Sequence, residues 1–156
     1  IKNNKMGDLD AFITGMGTGG TIMGFHHYFS QKKNDFKAYP ILPDKNEDGG
    51  HRIEGIGDSF IPKIVDLQAL SPILRVNDAD AINIARQINN LGLSVGISSG
   101  ANVFGAILKK YELGNNKNVG TILCDCNKKY LTTDLCSNSE EKLSRQIKIL
   151  DFEIIS

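Results

Sequence analysis

The chain has no tryptophan, only four prolines and three cysteines, and no excess of charge of either sign, because 18 basic residues are cancelled by 18 acidic ones. With no stretch that gathers Lys and Arg around aromatics, the electrostatic footprint of a nucleic-acid or anionic-membrane binder is missing, so a small ligand or a protein partner is expected. No apolar run approaches the roughly 20 residues of a membrane helix. The opening Ile1-Lys2-Asn3-Asn4-Lys5 has neither an initiator Met nor the apolar core of a signal peptide. The chain therefore reads as cytoplasmic, and its start at Ile1 suggests a preceding segment. Cys124, Cys126 and Cys136 are an odd count without a secretory mark, which argues for free thiols; with no histidine near them in sequence, no metal site is expected.

What is present is a repeating pattern. At 156 residues, 40% hydrophobic and 23% charged, the chain is long enough for one globular domain with a real core. Residues 10–14 predict a strand that runs into a glycine cluster, after which Ile22, Phe25 and Phe29 recur at helical spacing. Residues 36–42 predict a second strand, followed by a polar loop through Arg52. Residues 73–76 predict a third, with Asp78 as N-cap of a helix whose apolar face is Ala81, Ile84, Ala85 and Ile88, closed by Gly92. Residues 93–97 predict another strand, a turn at Ser98-Ser99-Gly100, then a helix carrying Val103, Phe104, Ile107, Leu108 and Tyr111 up to Gly114. The apolar run 119–124 predicts a central strand buried on both faces. Ser137 and Glu140, at capping-box spacing, with Leu143, Ile147 and Leu150, predict a terminal helix. Alternating strands and helices give an α/β fold, a mostly parallel sheet flanked by helices.

Gly15-Met16-Gly17-Thr18-Gly19-Gly20-Thr21, between strand and helix, is built for an anion. Four glycines in six residues exceed what a tight turn needs. They let backbone N–H groups converge without Cβ clashes, and the following helix adds its free donors and positive dipole end. Gly15, Gly17 and Gly20 also satisfy the dinucleotide fingerprint G-x-G-x-x-G, with Asp35 near the expected acidic position, so a dinucleotide-binding module is an alternative. A nucleoside-triphosphate loop is poorer, since no Gly-Lys-Ser or Gly-Lys-Thr follows. Gly96-Ile97-Ser98-Ser99-Gly100 matches a hydrolase nucleophile elbow, but His26, His27 and His51 all precede Ser98, so the usual triad order is not available. A serine capping the next helix is the plain structural reading. In a parallel-sheet enzyme both turns sit at the C-terminal edge of the strands, where one ligand can touch both.

Three motifs in order resemble the cysteine synthases (O-acetylserine sulfhydrylases) and their relatives cystathionine β-synthase and β-cyanoalanine synthase, fold-type-II pyridoxal-phosphate enzymes. Gly17-Thr18-Gly19-Gly20-Thr21 resembles the family's phosphate loop. His51-Arg52-Ile53-Glu54-Gly55-Ile56-Gly57 with Phe60-Ile61-Pro62 resembles its active-site-edge segment, and Gly96 to Ala101 resembles its pyridine-contacting turn. The likeness runs from about Asp8 through Tyr130, Leu131 and Thr133.

The resemblance implies the large-domain portion of a tryptophan-synthase-β-like fold over residues 1–135, with 136–156 as a C-terminal tail. It implies pyridoxal 5′-phosphate as cofactor, its phosphate held by Gly17, Thr18, Gly19, Gly20 and Thr21 and its pyridine nitrogen by Ser98. Gly57 would lie on the substrate side. The implied reaction is O-acetylserine plus sulfide giving cysteine and acetate, in a homodimer that can dock a serine acetyltransferase tail. A serine hydroxyl in place of a carboxylate leaves the ring a weaker electron sink, suited to β-replacement. The family's Schiff-base lysine and its substrate-carboxylate loop belong to segments that these 156 residues do not contain, so the resemblance implies no catalytic residue here and an inactive isolated chain, or a non-catalytic binding remnant. Two local departures are the short connection 44–50 and Cys124, which stands where the family strand runs toward a proline.

Overall fold

The computed structural model describes residues 9–45, 49–57, 60–137 and 143–151. β1 (Ala11–Gly15) is an apolar pentapeptide whose alternate side chains serve different layers: Ala11 and Ile13 join one buried cluster and Phe12 the other. It pairs in parallel with β2 (Lys37–Pro43) from Ala11↔Lys37 to Gly15↔Ile41. β3 (Leu74–Val76) adds to the far side of β2, and β4 (Val119–Thr121) to the far side of β1, giving the order β3-β2-β1-β4 with every pair parallel.

Helices cover both faces, as period-2 burial of a parallel sheet demands. α1 (Gly20–Ser30) places Ile22, Met23 and Phe29 with Phe12, Phe36 and Leu70. Phe25 stacks on Phe12 with centroids 3.6 Å apart. On the other face α2 (Asp78–Asn90) and α3 (Ile97–Leu113) pack together over Ile13, Tyr39 and Ile41. They approach so closely at Gly100 that a Cβ there would run into the Ala81 carbonyl oxygen, which is why the chain carries glycine inside a helix.

Five expectations need correction. Asn77, not Asp78, caps α2: its Oδ1 accepts from Asp80 N at 2.8 Å, while the Asp78 carboxylate takes Arg52 N at 2.9 Å and Arg52 Nε at 3.2 Å. Residues 93–97 form no strand, because the Asn89 side chain occupies both polar groups of Val95 that a neighbouring strand would use, at 2.9 and 3.0 Å. Ser98-Ser99-Gly100 is no turn but the first turn of α3, whose N-cap is Gly96. The run 119–124 is no central strand either: only three residues pair, with β1 alone, and Ile122 and Leu123 are exposed.

The fifth concerns the tail, where residues 143–151 contain no helix and Glu140 lies outside the described residues. Polar side chains of α2 hold this segment instead. Gln87 donates to Ile147 O at 2.8 Å and accepts from Ile149 N at 2.7 Å, and Asp80 accepts from Ser144 N at 3.0 Å. Ile147 and Ile149 pack on the larger cluster, whereas Leu150 is exposed.

Candidate functional site

The C-terminal edge of the sheet gathers the motifs. β1 ends at Gly15, and α1 starts at Gly20 behind Gly19, an N-cap at φ 84° with no side-chain capping bond and no acidic residue in the first turn. Among the described residues, the N–H groups of Gly17, Thr18, Gly19, Gly20, Thr21 and Ile22 have no protein acceptor. A row of free donors at the positive end of a helix, with Thr18, Gly20 and Thr21 exposed, has the chemistry that an anion would meet.

The second motif is fixed from a distance. Asp125, just beyond β4, reaches the N-terminus of α3: its Oδ1 accepts from Ser99 Oγ at 2.5 Å and Ser99 N at 3.2 Å, and its Oδ2 from Tyr130 OH at 2.8 Å. Ser99 Oγ accepts in turn from Cys124 N at 3.0 Å. Burial raises the Asp125 pKa, but hydrogen bonds from Ser99, Tyr130 and Ser98 outweigh it and hold the carboxyl below its ordinary value. Burial first, then the bond to Asp125 and its charge, push the Tyr130 hydroxyl far up, so it stays a donor. Asp125 thereby does the capping work that Gly96 has no side chain to do, and it fixes Ser98 in the first helical turn.

Asn102 joins the two motifs. It is 1% exposed, and its Oδ1 accepts from Gly15 N at 2.7 Å. Its Nδ2 donates to Ile122 O at 2.9 Å and lies 3.7 Å from Cys124 Sγ. One amide thus binds the end of β1, the chain beyond β4 and α3. Cys124 Sγ also lies 3.2 Å from Ser98 Oγ, the hydroxyl facing this edge.

The third segment completes the rim. Gly57 N donates to Met16 O at 3.2 Å, which sets the segment beside the glycine loop. At φ 80° only glycine is unstrained, and a Cβ would meet the Pro43 ring at 2.5 Å, so backbone conformation and packing both demand this residue. His51 packs beside Gly57, and its buried Nδ1 has no partner among the described residues.

The glycine loop, Gly57 and Ser98 thus lie at one edge. Asp35 does not: it precedes β2 at the opposite end of the strand and lies 3.8 Å from Lys117, away from where a ribose-binding carboxylate belongs. Among the described residues no group of His, Cys, Asp and Glu could hold a metal ion. Sequence reasoning missed Asn102, Asp125 and Tyr130. The available signals were a lone amide on the apolar face of α3 and a carboxylate directly after an apolar run.

The model of the family described as pyridoxal-phosphate dependent enzyme matches residues 1–125. The chain belongs to that family. Among pyridoxal-phosphate dependent enzymes it is similar to cysteine synthase B of Campylobacter jejuni, 40% identical over 136 residues that cover 82% of this chain and 44% of the relative. Its fold is similar to the crystal structure of a hydrogen sulfide-producing enzyme from Fusobacterium nucleatum, with TM-score 0.81 and 40% identity over 86% of this chain and 42% of that one. It is also similar to O-acetylserine sulfhydrylase isoform 3 of Entamoeba histolytica, with TM-score 0.78 and 29% identity over 90% of this chain and 44% of that one. The chain therefore spans less than half the length of these relatives. The family's cofactor is pyridoxal 5′-phosphate, and no helix among the described residues is long and apolar enough to cross a membrane.

Proposed function

We propose that these residues form the phosphate- and ring-binding part of a cytoplasmic cysteine synthase, a pyridoxal-phosphate enzyme that converts O-acetylserine and sulfide to cysteine and acetate. The observation that carries this reading is the row of free N–H donors from Gly17 to Ile22 at the same sheet edge as Ser98. The residues fit the group. The phosphate dianion matches the donors, and at Gly20 a Cβ would meet only Thr18 Oγ1, at 3.9 Å, so the loop is open there, whereas at Gly17 and Gly19 a Cβ would run into Gly55 O and Val65.

In this reading Gly17, Thr18, Gly19, Gly20 and Thr21 hold the phosphate and Ser98 donates its hydroxyl proton to the ring nitrogen. Gly57 lines the substrate side. When bound, pyridoxal phosphate supplies the electron sink for β-replacement, and a neutral serine partner keeps that sink moderate. The rest of the machinery, including the covalent lysine, the substrate-carboxylate loop and the dimer partner, belongs to the part of the fold that these residues do not span. Residues 1–135 form the large-domain portion and 136–156 a tail. Docking of a serine acetyltransferase tail near Gly57 belongs to the same reading.

The test uses pyridoxine 5′-phosphate, which lacks the aldehyde and needs no lysine. Titrated into the purified chain, it is expected to bind saturably, to be displaced by inorganic phosphate and to bind Ser98→Ala more weakly. Cysteine formation by the 156-residue chain alone is expected to be undetectable. A chain that binds neither pyridoxine 5′-phosphate nor phosphate would overturn the proposal.

A further inference from the structure

The Ser98 hydroxyl has one proton and several claimants. Cys124 Sγ lies 3.2 Å from Ser98 Oγ, a distance at which either group can donate. Asp125 also draws on Ser98, but its carboxylate already accepts from Ser99 N, Ser99 Oγ and Tyr130 OH. One neighbour, Asn102, bears on the direction. Asn102 Nδ2 points its donor at the sulfur from 3.7 Å, so the sulfur is an acceptor there. The Asn102 amide cannot flip, because Oδ1 is held by Gly15 N at 2.7 Å and Nδ2 by Ile122 O at 2.9 Å. Ser98 and Asn102 are 5% and 1% exposed, so solvent competes little for their hydrogen bonds, whereas Cys124 itself is exposed.

We infer that Cys124 is a positioning residue: its S–H donates to Ser98 Oγ, which turns the Ser98 proton outward to an acceptor seated at the sheet edge, a pyridine nitrogen. The inference rests on the cofactor reading above and adds a residue to it. The chain of donors runs from Asn102 N–H to sulfur, from S–H to Ser98 oxygen, and from Ser98 O–H to the ring. Within the relay the sulfur and the Ser98 oxygen each accept once and donate once, and Asn102 spends its second N–H on Ile122 O, so the relay has one polarity. A side chain without a donor at position 124 leaves Ser98 Oγ without this partner and its proton free to turn to Asp125.

Wild type, Cys124→Ala and Cys124→Ser are compared as full chains for binding of pyridoxine 5′-phosphate and for the near-ultraviolet absorption of the bound ring, which reports hydrogen bonding at its nitrogen. Cys124→Ala is expected to bind about fivefold more weakly, the effect of one neutral hydrogen bond, and to shift the absorption band. Cys124→Ser keeps an O–H donor and is expected to restore both. Inorganic phosphate, which touches only the glycine loop, is expected to bind all three alike. In the unmutated protein, pyridoxine 5′-phosphate is expected to slow iodoacetamide labelling of Cys124 but not of Cys126 or Cys136, read by mass spectrometry. Wild-type binding with no protection of Cys124, an unaltered Cys124→Ala, or a Cys124→Ser that fails to rescue would each overturn this inference and leave the cofactor reading intact. Failure of the wild type to bind overturns that reading, and the inference with it.

Discussion

Replacing Asp125 by Asn tests whether a carboxylate beyond β4 holds the start of α3. The change keeps the shape but offers one acceptor oxygen where the carboxylate offers two, so either Ser99 or the buried Tyr130 hydroxyl faces an NH2 group. Losing one charge-assisted bond and reducing the others to neutral strength costs about 3 kcal/mol, given roughly 1.5 to 3 kcal/mol for a bond to a charged group and about 1 for a neutral one. For a chain of this size that lowers the melting temperature by about 6 to 12 °C. The sign with pH follows from the depressed Asp125 pKa. A depressed carboxyl contributes stability above its ordinary value of 3.8 and loses it as pH falls through the lower folded-state value. Urea denaturation from neutral to acid pH should therefore show a gap between wild type and Asp125→Asn that is full above pH 3.8 and shrinks below it. A gap under about 0.5 kcal/mol at neutral pH, within the range of ordinary surface changes, would refute the argument. So would a gap that persists unchanged into acid.

Gly57→Ala meets both a positive φ and the Pro43 ring, so it is expected to destabilise by about 2 kcal/mol or more, seen as a lower urea midpoint; equal stability would show that the segment relaxes freely. Asp10 accepts from Lys33 Nζ at 2.6 Å, Lys117 Nζ at 3.0 Å and Asn118 N at 2.7 Å. Burial opposes its ionisation, but these bonds outweigh that and depress its pKa strongly. Asp10→Asn is expected to lose about 2 kcal/mol at neutral pH, a loss that shrinks in strong acid and partly under high salt, and a salt-independent loss would count against ion pairing.

The parts of this fold that were legible in the sequence are those whose signal is local. β1, α1 and α2 follow from periodicity, and the loop of free donors between β1 and α1 from glycines at one strand end. What misled the reading was side chains that stand in for backbone. Residues 93–97 carry an apolar pattern, yet the Asn89 amide takes the place of a neighbouring strand. Ser98-Ser99-Gly100 reads as a turn because the group that caps it, Asp125, lies 26 residues from Ser99. The tail carries helix-like spacing, but Gln87 bonds to its backbone on both sides of Lys148. None of these substitutions leaves a periodic trace. The motifs were found because residue type alone marks them, whereas Asn102, which joins them, looks like an ordinary helix residue until its three partners are seen.

The parallel pairing of β1 with both β2 and β4 also predicts an order of assembly. The strand partners Ile13 and Tyr39 are close in sequence, but Thr121 Oγ1 reaches Ile13 O across 108 residues. Closing the longer loop carries the greater entropic cost, so β1, α1 and β2 are expected to form the early unit and β4 to join last. The Asn102 bonds to Gly15 and Ile122 span that late seam. Amide hydrogens along β4 should accordingly exchange before those of β2, and the sheet edge that carries Ser98 is expected to mature only when the final strand has settled.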